Sequence, residues 1–311
     1  MNDKQVGPSG PRGMLSCLHT HTDFCDGRAG IQSMCEAAFA GGFVSLGFSS
    51  HAPITGKTGI QSSWHMADEK LDEYIDAVLA ARGRWSGKLA VYLGMEVDYI
   101  EGFCGPADAD IQALPLDFII GAVHYAVSPK NGEIFNIDEF PDDFGNVLDM
   151  FDNDGMAVCN VYYDSYDSMI RAGGCDILAH LDIIKKNNDR YRFFSPKDTW
   201  YTKRLAATAD LIAAARAGTE TNGKHIPVVE VNTGGMARGY CSEPFPSLDI
   251  LTLLKERDIP LVLNADAHSV DQLGSNYEKA MEKMVQAGYS AMVLFEGRKE
   301  GKAVWTPQTI P

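Results

Sequence analysis

Met14-Leu15-Ser16-Cys17-Leu18-His19-Thr20-His21 is a short apolar run that stops in two histidines. In an extended chain, alternate side chains project to the same side, so His19 and His21 point together. Six further runs have the same form, at residues 44–48, 89–95, 116–123, 176–179, 227–231 and 260–264. They are rich in Val, Ile, Leu and Phe and do not alternate with polar residues. That pattern predicts strands covered on both faces, as in a parallel sheet. Helical periodicity fills the gaps, over 31–40, 68–82, 144–150, 156–172, 199–217, 247–257 and 277–287. In the second of these, Leu71, Ile75, Val78 and Leu79 fall on one face. Ser247 and Ser275 read as N-caps, and Gly218 and Gly288 as helix stops. Strands alternating with helices through short joins predict parallel βαβ units in one α/β domain spanning 14–311. The polar, Gly- and Pro-containing stretch 1–13 reads as a frayed tail without the apolar core of a signal peptide. Residues 291–296 and 303–305, around Gly297 and Gly301, read as a closing hairpin.

Composition narrows the function classes. The 311 residues are 45% hydrophobic and 22% charged, which fits a folded globular chain. The net charge of −15 argues against a phosphate-backbone binder and against a polybasic membrane anchor. No apolar stretch is long enough to span a bilayer. The seven cysteines are scattered, odd in number and without a C-x-x-C pair, which predicts buried reduced thiols in a cytoplasmic protein.

Six of the eight histidines sit just after a predicted strand: His19, His21, His51, His124, His180 and His268. Asp26, Glu96 and Asp266 join them. Strand C-terminal ends of a parallel α/β barrel converge on one face, so these nine groups are expected to meet at one mouth. Asp266 and His268 repeat the i, i+2 geometry of His19 and His21, and the Asp26-Gly27 turn can fold a carboxylate back toward the first strand. Neutral imidazoles and carboxylates suit Zn²⁺, Fe²⁺ or Mn²⁺, and nine groups suffice for two or three ions. No cysteine falls on this register. His65 and His225 do not follow a strand and stay outside the set, although His65 adjoins Trp64 in a loop able to line a pocket.

These residues resemble the PHP (polymerase and histidinol phosphatase) superfamily, and within it the histidinol phosphatase branch. The superfamily motifs here are His19-Thr20-His21-Thr22 with Cys25-Asp26-Gly27, Phe48-Ser49-Ser50-His51, Gly94-Met95-Glu96-Val97-Asp98-Tyr99, Gly121-Ala122-Val123-His124, Asp176-Ile177-Leu178-Ala179-His180 and Asn264-Ala265-Asp266-Ala267-His268. The branch is marked by His51-Ala52-Pro53, Glu230-Val231-Asn232-Thr233, Glu243-Pro244-Phe245-Pro246-Ser247, Ile137-Asp138 and Tyr162-Tyr163. The resemblance implies a distorted TIM-like (β/α)7 barrel with a metal centre at the C-terminal face of its strands. It implies one ion on His19, His21, Glu96 and Asp266, a second on Glu96, His124 and His180, and a third on Asp26, His51 and His268. The branch often has a histidine beside Asp26, where this chain reads Asp26-Gly27-Arg28. The resemblance further places a cationic phosphate contact at Lys185 and Lys186, a role Arg238 can share.

The implied activity is metal-dependent hydrolysis of L-histidinol phosphate to L-histidinol and phosphate. Metal ions lower the pKa of a bound water from 15.7 toward ~7 and neutralise the phosphoryl oxygens. Glu96 bridges two ions in this scheme, and Asp266 or His268 protonates the leaving alkoxide. An imidazole-bearing leaving group calls for aromatic or carboxylate partners, for which Trp64, Asp98, Tyr99 and Glu243 are candidates. The rival readings are a phosphoesterase for another small phosphate or nucleotide, and a non-catalytic metal-binding regulatory domain. An exonuclease-like domain would need a basic groove, which an acidic chain does not offer.

Overall fold

Each of the seven apolar runs forms a strand of one parallel sheet in the computed structural model, which describes residues 15–138, 140, 142–218 and 227–311. The strands are β1 (Leu15–Cys17), β2 (Phe43–Phe48), β3 (Ala90–Asp98), β4 (Phe118–Ala122), β7 (Ile177–Leu178), β8 (Val228–Asn232) and β9 (Leu261–Asn264). They neighbour one another in the order β1-β2-β3-β4-β7-β8-β9. Between them, β5 (Tyr125–Val127) and β6 (Ile134–Asn136) make a small antiparallel hairpin that the sequence pattern did not announce. The sheet closes on itself between β9 and β1. Leu18 N donates to Asn264 Oδ1 at 2.7 Å, His21 N to Ala267 O at 2.9 Å, and Ala267 N to His19 O at 3.2 Å. The architecture is therefore a nearly closed, TIM-like (β/α)7 barrel.

Helices cover the outside. Ile31–Ala40 and Phe144–Met150 keep the predicted bounds, and Thr199–Arg216 falls one residue short of them. The expected face of the second helix needs correction. Leu71–Trp85 buries Tyr74, Ile75, Val78 and Ala81, whereas Leu79 is exposed. Tyr74 takes the inner position because its hydroxyl reaches Gly94 O at 2.8 Å. Ser275 is not the cap of the last helix, Tyr277–Gln286. Asn276 holds that position with φ of 60°, a left-handed conformation that Asn tolerates. The expected tail 1–13 lies outside the described residues.

The barrel interior changes character from end to end. Tyr92, Gly94, Glu96 and Asp98 alternate along β3 and so share a face. The lower interior is apolar: Leu18, Phe118, Ile120, Ile177, Val228 and Val262 form one cluster. The expected closing hairpin, β10 (Ala291–Lys299) and β11 (Lys302–Thr309), plugs that end with Phe295 and Trp305. Polar residues occupy the upper interior and have nowhere to point but the mouth.

Phe118 fills the barrel against two glycines. A Cβ on Gly94 would lie 2.2 Å from its ring and one on Gly47 2.7 Å. Gly94→Ala is thus expected to destabilise the fold by roughly 1–3 kcal/mol through overpacking, read as a lowered urea midpoint at unchanged slope. An unchanged midpoint would mean that Phe118 has room to move.

Candidate metal centre

Glu96 is the hub of the mouth. It is 1% exposed, and β3 carries it up between four strand ends. Its Oε2 lies 3.1 Å from His19 Nε2, 3.1 Å from His51 Nδ1 and 3.4 Å from His21 Nε2. Its Oε1 lies 3.1 Å from His180 Nε2 and 3.7 Å from His124 Nε2. Asp266 Oδ1 adds a second carboxylate 3.3 Å from His21 Nε2 and 3.7 Å from His19 Nε2. On the far side, Asp26 Oδ2 is 3.1 Å from His268 Nε2, and Asp26 Oδ1 is 3.9 Å from His51 Nε2. All nine strand-end groups singled out in the sequence therefore converge. Among the described residues, four sets are tight enough for one ion each: His19, His21 and Glu96; Glu96, His124 and His180; His21, Asp26, His51 and His268; and His51, Asp98 and His124.

A divalent cation suits the first three sets, each of which brings imidazole nitrogens and carboxylate oxygens within 4.8 Å of one another. His19 Nδ1 is 2.7 Å from Glu230 Oε1. An ionised carboxylate only accepts, so that nitrogen carries a proton, and the neutral ring keeps its lone pair on Nε2 for a metal ion. The same logic applies to His124, whose Nδ1 is 2.9 Å from Asp98 Oδ1 and whose Nε2 faces His180 Nε2 at 3.2 Å. His19 Nε2, His21 Nε2, His51 Nδ1, Glu96 Oε2 and Asp26 Oδ1 are buried without hydrogen-bond partners. Buried unpaired acceptors are costly, and a shared cation would satisfy them together.

The electrostatics show the same demand for positive charge. Burial lowers the pKa of His19, but Glu230, Glu96 and Asp266 outweigh it and raise the ring well above its ordinary value. Burial likewise opposes protonation of His124, and Asp98 and Glu96 carry it up to about 9. Burial raises Glu96, and His19, His51 and His124 more than offset this and hold it well below the usual carboxylate range.

Other expected residues divide. Trp64, Lys186 and Arg238 line a cavity of about 560 Å³ above the donors, together with Asp138, Phe140 and Tyr240. Arg238 donates to Asp266 Oδ2 at 2.9 Å, and Lys186 meets Asp138 Oδ1 at 2.5 Å. Asp138, one of the residues that carry the resemblance, stands at the cavity. Lys185 does not line it. Its ammonium is held by Asp182 at 3.1 Å, Glu243 at 3.2 Å and Pro244 O at 2.9 Å, which also removes Glu243 from the expected contacts. Asp98 is corrected too: it is buried behind His124 and bonded to His124 and His65. Tyr99 is not a lining residue.

Sequence reasoning gave Glu230 no role, yet it is the organiser of one wall. Besides His19, it accepts from Asn264 Nδ2 and Asn232 Nδ2, both at 2.9 Å, and from His180 N at 3.0 Å. The signal was the Glu-x-Asn alternation at the end of β8, which puts both side chains on the inner face. Cys25, expected among the buried thiols, is only partly buried, and its Sγ lies 3.5 Å from His21 Nδ1. His225 lies outside the described residues.

Fold and site together define a class: an α/β barrel whose C-terminal mouth gathers imidazoles and carboxylates suited to divalent metal ions. The PHP domain family model matches residues 18–224, and the chain belongs to this family. It is 27% identical over 282 residues to a protein of Deinococcus radiodurans named "Probable histidinol-phosphatase", covering 90% of this chain and 96% of the relative. It is 26% identical to the histidinol-phosphatase of Bacillus subtilis, covering 85% of this chain and 97% of that one. The crystal structure of histidinol phosphate phosphatase from Lactococcus lactis, complexed with zinc, L-histidinol and phosphate, superposes with a TM-score of 0.60 at 15% identity. That match covers 93% of this chain and 98% of that one.

Proposed function

We propose that this chain is a phosphomonoesterase that hydrolyses L-histidinol phosphate to L-histidinol and phosphate, using two or three Zn²⁺, Fe²⁺ or Mn²⁺ ions. The observation that carries the reading is the set of buried, mutually unpaired donors around Glu96 at the floor of an open cavity. His19, His21, Glu96 and Asp266 would hold one ion, Glu96, His124 and His180 a second, and Asp26, His51 and His268 a third. When bound, such ions supply a water activated at neutral pH and neutralise charge on the phosphoryl oxygens. Arg238 and Lys186 stand at the cavity wall to orient the phosphate, Arg238 with a planar fork and Lys186 as a point charge. Asp266 and His268 face the same space, and one of them passes a proton to the leaving oxygen. Trp64 offers an aromatic face to the imidazole of the leaving group. The relatives' names and the Lactococcus lactis complex support this substrate. The seven free cysteines support a reducing, cytoplasmic setting. No described helix is long and apolar enough to cross a membrane.

A second reading, hydrolysis of another small phosphate ester, is favoured by one observation: Asp98 and Glu243, both expected to grip the leaving group, do not face the cavity. Metal analysis of protein purified without chelator, followed by a screen of small phosphomonoesters, separates the readings. More than one divalent ion per chain with histidinol phosphate as the preferred ester is the expected result. Absence of metal, and no activation by Zn²⁺, Mn²⁺ or Fe²⁺, would end the metalloenzyme reading. A preferred nucleotide would leave the metals and change the substrate.

Glu230 supplies a further check. Removing its carboxylate leaves His19 Nδ1 without an acceptor, so Glu230→Ala is expected to weaken metal affinity about 10–100-fold in a chelator competition. Wild-type affinity in that variant would mean that His19 is held by packing alone.

A further inference from the structure

We propose that His65 is a positioning residue for His124, acting through the buried carboxylate of Asp98. The inference rests on the reading that His124 holds a divalent ion. Asp98 ends β3 on the face it shares with Glu96, and both of its oxygens are committed. Oδ1 accepts from His124 N at 3.1 Å and meets His124 Nδ1 at 2.9 Å, while Oδ2 meets His65 Nε2 at 2.7 Å. Asp98, His51 and His124 come within reach of one another, and the Asp98 carboxylate already accepts three hydrogen bonds, two of them from His124 itself. It acts by fixing the ring of His124 with its proton on Nδ1 and its lone pair on Nε2, toward Glu96 and His180.

His65 supplies the other half of that hold. With Nε2–H given to Asp98, its Nδ1 is left to accept from Ser62 Oγ at 2.8 Å. Ser62 Oγ in turn accepts from the backbone N–H groups of Trp64 and His65, each at 3.3 Å. The turn from Ser62 to His65 therefore sets the ring, and no polar atom of His65 remains free for substrate. The two supported histidines differ in origin of support. Glu230 behind His19 is anchored by Asn232 and Asn264 from the barrel itself. Asp98 behind His124 depends on a loop outside the barrel. That loop also carries Trp64, whose ring stacks on Tyr125 at 5.4 Å and meets His51 and His124 edge-on at 4.8 and 5.3 Å. One turn thus fixes both a cavity wall and a ligand.

Two substitutions test this by geometry. Gln places an amide nitrogen where the His Nε2 stands, and Asn places one nearer Nδ1 and out of reach of Asp98. In chelator competition on the zinc-loaded protein, His65→Asn is expected to lose about 10–100-fold in affinity at the most weakly held ion. His65→Gln is expected to stay within about threefold of wild type, as a retained donor to the supporting carboxylate requires. Thermal melting of the zinc-loaded variants confirms that both are folded. Equal affinities for wild type, Gln and Asn would overturn the inference while leaving the metal centre intact. Losses of the same size in both variants would also overturn it, because a donor at Nε2 would then not be what matters. A wild-type protein that binds no zinc would overturn the reading of the site along with this inference.

Discussion

Glu96→Gln is expected to lower turnover of the best phosphomonoester by at least about a thousandfold, roughly 4 kcal/mol of transition-state stabilisation. Metal content should fall together with activity. The reason is position: one carboxylate stands within 3.1 to 3.7 Å of five imidazole nitrogens, from His19, His21, His51, His124 and His180. Gln keeps the shape and removes the charge that balances two ions, and its amide hydrogens then confront bare nitrogens. Every other group serves a smaller share of the cluster, so no single ligand change should cost more. Metal counting and steady-state kinetics on the same preparation check it. Near-normal turnover in Glu96→Gln would mean that the cluster is assembled around something other than bound cations.

The second large effect concerns the leaving group. Histidinol phosphate is expected to show kcat/KM at least ~100-fold above that of a generic aryl phosphate, about 2.7 kcal/mol of differential transition-state binding. Ions grip any phosphate alike, so discrimination must come from the walls of the cavity. Trp64 is an aromatic residue of those walls, and Trp64→Ala is expected to reduce the ratio about tenfold while sparing the aryl phosphate. Glu243→Ala should leave the ratio unchanged, because that carboxylate is spent on Lys185. Equal hydrolysis of both esters by the wild type would shift the proposal to a different small phosphate.

The strands and the ligand-type groups were legible because each is a local signal. A run buried on both faces reads as continuous apolar sequence, and a strand end reads as its sudden stop. Seven such stops carry six of the histidines, which is enough to place them at one mouth. The apolar run 89–95 stops short of the strand's end, because Glu96 and Asp98 break the apolar pattern. β3 in fact runs to Asp98, and that extension is what puts Asp98 behind His124 rather than in the cavity.

Sequence by itself thus determined the parallel α/β class, the seven apolar runs and the nine ligand-type groups at their ends, because period and chain order survive without tertiary contacts, while the barrel was what the family resemblance implied. Only the tertiary structure decided which polar groups face the cavity and which stand behind it. Lys185 and Glu243 neutralise each other across 58 residues, Asp98 joins His65 across 33, and Glu230 reaches His19 across 211. A buried charge must find a partner wherever the fold brings one, and nothing in the local pattern of a chain states which distant residue that will be.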